Sequence, residues 1–435
     1  MHLLLAQKGT IAEGEGAVDL GQTPGDILFI SAADTELASL AAATDALGSG
    51  ISLRLANLMQ LQHPMSIDTY VERTARHAKL IVVRILGGES YWPYGVEALH
   101  AAAVSHRIPL AVLPGDDRPD PGLGRFSTIS PEDREALWRY LVEGGADNAT
   151  GFLSCCRALI EGGDRPPEAA PLLKAGLWWA GMARPTMVDI DNAWRSKAGE
   201  GRPVAAICFY RALVQSGQTA PVEALVSALE TEGLNPLPVF VSSLKDPVSV
   251  ATLEAIFEKT SPDIVLNATG FAVSAPGGKR RPTVLEQRGA VVLQVIFSGS
   301  TAEAWSGSAQ GLSARDLAMN VALPEVDGRV LSRAVSFKSA SRFDERVEAN
   351  IVTHEPMADR AAFVAKLAAN WARLRRTSPA ERRVAIVLSN YPNRDGRLGN
   401  GVGLDTPAGT MEVLRAMREA GYAVGDLSAD GDGLI

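Results

Sequence analysis

The stretch DILFISAADTELASLAAATDALGSGISLRL, residues 26–55, decides the fold. It holds an apolar run of strand length (26–31), a helical pattern (33–47) and a second apolar run (51–55). Two strands joined through a helix lie parallel, because a parallel pair needs a crossover that a tight turn cannot make. The alternation continues outward: 66–78 and 96–104 are helical, 80–86 and 109–113 strand-like. That order predicts a parallel sheet covered by helices. Gly87-Gly88 and Pro114-Gly115 close two of the strands, where glycine permits the sharp exit needed at a sheet's carboxyl edge. Ser130-Pro131-Glu132-Asp133 then opens a helix with a cap, a proline and first-turn acids.

Downstream, the prolines of DRPPEAAP (164–171) break helix and strand alike and mark a boundary. A second alternation follows, with strands at 204–210, 238–242, 263–267 and 291–297 and helices at 221–232 and 248–259. Residues 317–322 are a further buried run that reads equally as a short helix. Helix 359–376 carries Phe363, Leu367 and Leu374 on one face and Arg373, Arg375 and Arg376 at its end, where cations favour the helix dipole. A strand at 383–389 (RVAIVLS), a loop and a helix at 406–420 come last. The expected fold is α/β and multidomain: successive parallel-sheet, Rossmann-like units covered by helices, the last incomplete. An amino-terminal α/β domain is expected over 1–165, a linker or helical segment over 166–200, a second α/β domain over 201–380 and the start of a third over 381–435. The ending DLSADGDGLI, inside an unfinished unit, predicts the amino-terminal piece of a longer polypeptide.

Composition narrows the function classes. Hydrophobic residues are 46% and charged residues 21% of 435, which excludes a disordered or fibrous chain. With 42 Lys plus Arg against 50 Asp plus Glu the net charge is −8, which argues against nucleic-acid and anionic-membrane partners. Cys155, Cys156 and Cys208 have no CxxC spacing, and no apolar run is long enough to span a bilayer, so a cytoplasmic protein is expected. The six histidines form no HxH or HExxH pattern. His354, beside Glu355 in a polar stretch, is the one metal-ligand candidate.

Chemistry concentrates in two segments. NYPNRDGRLGNGVGLDT (390–406) joins a strand to a helix, and its glycines allow close backbone approach ahead of a helix N-terminus that favours an anion. Asn393, Arg394, Arg397 and Asn400 are its candidate substrate-binding residues. The loop lacks GxxxxGK[ST], so ATP is not expected on this chain. In LPEVDGR (323–329), Glu325 and Asp327 are candidates for accepting protons or holding a cation, although Asp327-Gly328 is also an ordinary turn pair. GGKRRP (277–282) reads as a solvated basic loop, with carboxylate or phosphate pairing the alternative, and Trp178-Trp179 as packing at a domain seam rather than a stacking platform.

Three runs carry a family resemblance: GLSARDLAMNVALPEVDGRVLSRAVSFK (311–338), ANWARLRRTSPAERRVAIVLSNYPNRDGRLGNGVGLDTP (369–407) and YWPYG (91–95). They resemble the large subunits of the aerobic, ATP-dependent cobaltochelatases (CobN), a family related to the magnesium chelatase large subunit. The resemblance implies a tetrapyrrole-binding subunit that inserts cobalt(II), the metal substrate, into hydrogenobyrinic acid a,c-diamide, a corrinoid precursor of cobalamin. It further implies ATP and Mg on partner subunits, an AAA+ ATPase and its von Willebrand-like companion, and a chain that is the amino-terminal third of such a subunit, inactive alone. Glu325 and Asp327 would then serve metal or proton transfer, and Arg394 and Arg397 the ring carboxylates. Two other readings stand beside it: two α/β units closing on a small anion without chemistry, and a scaffold that docks the ATPase.

Overall fold

The computed structural model describes residues 16–48, 50–275, 277–339, 342–389, 399 and 403–434. Strands β1 (Ile27–Ser31), β2 (Leu53–Asn57), β3 (Leu80–Ile85) and β4 (Leu110–Pro114) form a wholly parallel sheet in the order β2-β1-β3-β4. Every residue in them is buried, as a sheet covered on both faces requires. Side chains alternate between two cores: Ile27 and Phe29 pack with helices Asp34–Ala42, Pro131–Glu143 and Ala146–Glu161, while Leu28 and Ile30 pack with Pro64–Arg73 and Pro93–His106. Ser130 caps its helix as its sequence predicts, its side chain accepting the Asp133 N–H with Pro131 inside the first turn.

The second sheet is built from β5 (Ala175–Leu177), β6 (Val204–Tyr210), β7 (Asn235–Val241), β8 (Ile264–Asn267), β9 (Val291–Thr301) and β10 (Val330–Lys338), with a hairpin β11 (Arg342–Asp344) and β12 (Ala349–Ile351) before β13 (His354–Pro356). Its order is β13-β10-β9-β8-β6-β7-β5, parallel from β10 to β7 and antiparallel at both rims. The expected linker at 166–200 therefore supplies a strand, β5, and a helix, Met187–Ser196, closed by a Thr186/Asp189 capping box.

Two expectations need correcting. Residues 382–389 form no strand, and Val387 is 90% exposed: among the described residues no backbone pairs with this apolar run, and a strand needs a partner to satisfy its N–H and C=O groups. On helix Ala358–Arg376 the buried face is Ala361, Val364, Ala365, Ala368 and Ala372, whereas Phe363 and Leu374 are exposed. The true stripe keeps the helical period but is made of small residues. Phe363 instead lies under the Arg333 guanidinium, 3.4 Å from its ring centre. Residues 317–322 take the helical of their two readings, as a π-helical turn, and none of them is fully buried.

By its contacts the chain divides into two compact units, Met1–Ala368 and Ala369–Ile435. In the smaller one, Asp405 caps the helix Thr406–Glu419 through the Ala408 N–H, and Arg382 donates to the Tyr422 hydroxyl. In the larger one, both sheets belong together because the chain returns from the second to the first. Val347 and Ala349 of the hairpin enter the first sheet's core, and Leu55 N–H donates to Val347 O at 3.2 Å. Arg54 pairs with Glu348 at 2.9 Å. Deepest of these ties is Lys338, at the end of β10, whose Nζ lies 2.6 Å from Asp34, with side chains 3% and 6% exposed. Asn57 donates a further bond to Asp34.

Removing one member of a buried pair strands the other charge in a medium that cannot solvate it. Lys338→Met is therefore expected to lower unfolding free energy by about 3–5 kcal/mol, and the double variant Asp34→Leu/Lys338→Met to recover most of that loss. Urea unfolding of parent, single and double variants measures it; an unchanged midpoint for Lys338→Met would contradict the assignment.

Candidate functional site

The carboxyl edges of both sheets open onto one cleft of about 620 Å³. From the first sheet come Arg84 near the end of β3, Leu86 just after it, and Asp116 and Asp117 after β4; the second supplies Tyr210, Phe271, Phe297, Arg315, Met319 and Lys338. Open α/β sheets bind ligands at this edge, where loops fan apart and backbone N–H groups are unpaired. A depression of about 600 Å³ beside helix Pro247–Thr260 is comparable in size but is a shallow apolar surface without convergent polar groups.

The cleft's polar groups are held from behind. Arg84 is buried against Glu36 at 2.6 Å and donates to the Pro114 and Gly115 carbonyls. Burial pushes its guanidinium below the usual range while Glu36 opposes that. Arg211 pairs with Glu143 at 3.2 Å and donates to the carbonyls of Leu172 and Leu173. Asp316 accepts from the Ser298 hydroxyl, the Gly299 N–H and the Asn320 amide. Burial raises the Tyr210 phenol to about 12, and it donates to Gly270 O at 3.1 Å.

One wall is strained. Phe271 has φ +64, a left-handed conformation that costs a bulky residue about 1–3 kcal/mol. Its N–H donates to Met319 O at 2.8 Å, on the π-helical turn Leu317–Ala322. Such turns are rare and frequently sit at functional sites. Gly270 lets the two segments touch, since a Cβ there would meet Asn320 Oδ1 at 2.9 Å and Met319 O at 3.0 Å.

The LPEVDGR segment holds this wall. Asp327 accepts the N–H groups of Val273 and Ser274 at 2.7 and 2.9 Å and pairs with Arg329 at 2.9 Å, both side chains buried. Burial alone would raise the Asp327 carboxyl, but those N–H donors and Arg329 hold it below the ordinary carboxylate range. Arg329 reaches on to Thr269 O, within a network joining Asn267, Thr269 and Gln294. Gly328, at φ +74, leaves room for Arg280, whose guanidinium would lie 2.9 Å from a Cβ; Arg280 itself pairs with Glu286.

The structure thus gives Asp327 an anchoring position, with its oxygens already occupied. Glu325 is exposed and outside the cleft lining. His354 is buried on β13, its Nδ1 3.2 Å from Ser336 Oγ, and among the described residues no three His, Cys, Asp or Glu side chains gather to hold a metal ion. Asn393, Arg394, Arg397 and Asn400 lie outside the described residues. The cleft residues Arg84, Tyr210 and Phe271 went unread because they sit in strand ends and turns with no motif. Arg315, Met319 and Lys338 fall inside the 311–338 run, which is the signal that marks them. No helix among the described residues is long and apolar enough to cross a membrane.

Comparison with known proteins gives one consistent answer. The CobN/Magnesium Chelatase family model matches residues 138–435. The aerobic cobaltochelatase subunit CobN of Sinorhizobium sp is 66% identical over 100% of this chain and 34% of its own length, and that of Pseudomonas aeruginosa 43% identical over the same shares. The chloroplastic magnesium-chelatase subunit ChlH of rice is 26% identical over 68% of this chain and 22% of its own. Among solved structures, the catalytic subunit of cobaltochelatase from Mycobacterium tuberculosis superposes with a TM-score of 0.66 at 31% identity, covering 94% of this chain and 32% of that one. The chain spans about a third of the length of these cobaltochelatase relatives.

Burial, with the nearby Lys338 charge adding to it, lowers the His354 imidazole from 6.5 to about 3. Above pH 6.5 it is neutral whether the chain is folded or not; below that, only the unfolded chain takes up the proton. Stability is therefore lost as pH falls from 6.5 toward 3, at about 1.36 kcal/mol per unit, or about 2 kcal/mol by pH 5. Urea midpoints measured between pH 7 and 5 should show this slope, and His354→Gln should flatten it.

Proposed function

The chain belongs to the CobN/magnesium chelatase family, and from that premise we propose that it forms the amino-terminal third of a cobaltochelatase large subunit. The reaction is insertion of cobalt(II) into hydrogenobyrinic acid a,c-diamide in the cytoplasm, driven by ATP hydrolysed on partner subunits, an AAA+ ATPase and its von Willebrand-like companion. The observation that carries this reading is the 66% identity to the Sinorhizobium CobN across the whole chain, against 26% to the rice magnesium-chelatase subunit. Insertion requires a metal stripped of its waters and a base to take two ring N–H protons. The peripheral carboxylates of the ring need Arg partners or helix N-termini. We assign that second task to Asn393, Arg394, Arg397 and Asn400, two arginines and two amides in a glycine-rich segment leading into helix Thr406–Glu419. In the first task, exposed Glu325 is the available carboxylate of LPEVDGR, with Asp327 fixing the segment beside it.

A chimera with this chain replacing the corresponding third of the Sinorhizobium protein tests the reading. With both partner subunits, cobalt and ATP, it should insert cobalt, whereas the 435-residue chain alone should not. A folded, assembled chimera without activity would refute the proposal. Within the chimera, Arg394→Ala or Arg397→Ala should each weaken corrinoid binding roughly ten- to a hundredfold, the equivalent of about 1.5–3 kcal/mol for a charge-assisted hydrogen bond. Arg375→Ala, at a helix end, should bind like the parent in the same absorbance titration. Mg-ATP titrated into this chain should give no saturable heat in the micromolar range.

A further inference from the structure

We propose that the cleft between the two sheets binds a small monocarboxylate with an apolar body, its carboxylate taken by Arg315 and its body laid against Phe271, Phe297 and Met319. This goes beyond the chelatase reading and does not depend on it.

Topology comes first. In the first sheet the order is β2-β1-β3-β4, and the parallel strands of the second run β7-β6-β8-β9-β10. In each, the crossover direction reverses beside the first strand, between β1 and β3 and between β6 and β8. Crevices open at such points, outside the carboxyl ends of the strands. The cleft is lined by the ends of β3 and β4 in the first sheet and of β6 and β8 in the second, and at about 620 Å³ it suits a small organic molecule.

Charge decides the ligand's sign. Four cations line the cleft, and three are committed: Arg84 to Glu36, Arg211 to Glu143 and Lys338 to Asp34. Arg315 is exposed and, among the described residues, has no hydrogen-bond or ion-pair partner. It is near enough to Lys338 for its charge to help depress the Lys338 ammonium, after burial, which is the largest cause. With Lys338 neutralised by Asp34, Arg315 is the lining cation whose charge is left unmatched among the described residues, and a carboxylate matches it. Asp116, Asp117 and Asp316 also line the cleft, so a dianion such as phosphate meets three carboxylates, and a single negative charge fits better. Phe271, Phe297 and Met319 are only partly buried, which leaves aromatic and thioether surface to cover.

The test uses the 435-residue chain and three probes in calorimetric titration: 1-naphthylacetate, 1-naphthylmethylammonium with the same body and opposite charge, and inorganic phosphate with charge and no body. Naphthylacetate is expected to bind saturably and at least tenfold more tightly than either. Arg315→Gln, at an exposed position, should weaken it at least tenfold, and Met319→Trp should weaken it by filling the space. Denaturation midpoints verify that both variants are folded. No binding of naphthylacetate, equal binding by Arg315→Gln, or tighter binding of phosphate would each overturn the proposal. None of these outcomes bears on cobalt insertion by the chimera.

Discussion

The contact between Lys338 and Asp34 governs how the two sheets face each other. A buried ion pair contributes little net stability compared with apolar residues of the same volume, because desolvating both charges offsets their attraction. Its effect lies in what it forbids. Any arrangement that separates β10 from the helix Asp34–Ala42 while both stay buried leaves an ammonium and a carboxylate without the opposite charge, and that is penalised heavily. The hairpin reinforces the same geometry with a different force, burying Val347 and Ala349 in the first sheet's core and covering the edge strand β2.

Given that arrangement, the cleft follows from handedness and polarity. All strands from β1 to β4, and from β6 to β10, run in one direction within their sheets, so each sheet has a single edge where its carboxyl ends gather. Loops leaving that edge are not held by the strand ladders. The left-handed Phe271 and the π turn beside it are held by the network around Asp327, Arg329, Asn267 and Gln294, so the strain is stored where support is densest.

This changes what LPEVDGR means. Its acids sit inside the stretch that the CobN/Magnesium Chelatase family model matches, yet the two carboxylates have different surroundings: Asp327 is enclosed by donors, and Glu325 faces solvent. A carboxylate whose lone pairs are filled by two backbone N–H groups and an arginine acts by positioning the chain.

The sequence by itself determined the parallel α/β architecture, since continuous apolar strands separated by helix-length segments leave few other ways to satisfy the backbone. It placed β1, β3 and β6 nearly to the residue, and the Ser130 cap, because those signals are local. The family runs pointed to the 311–338 segment that carries much of the cleft. Only the tertiary structure decided that VLSRAVSFK is a strand buried from Ala334 to Lys338, that the alanines rather than Phe363 and Leu374 face inward on Ala358–Arg376, and that the apolar run at 383–389 has no ladder among the described residues. The physical reason is the same in each case. Periodicity encodes burial that a segment can arrange with its neighbours, whereas Lys338 can be buried only because Asp34, 304 residues away in sequence, meets it.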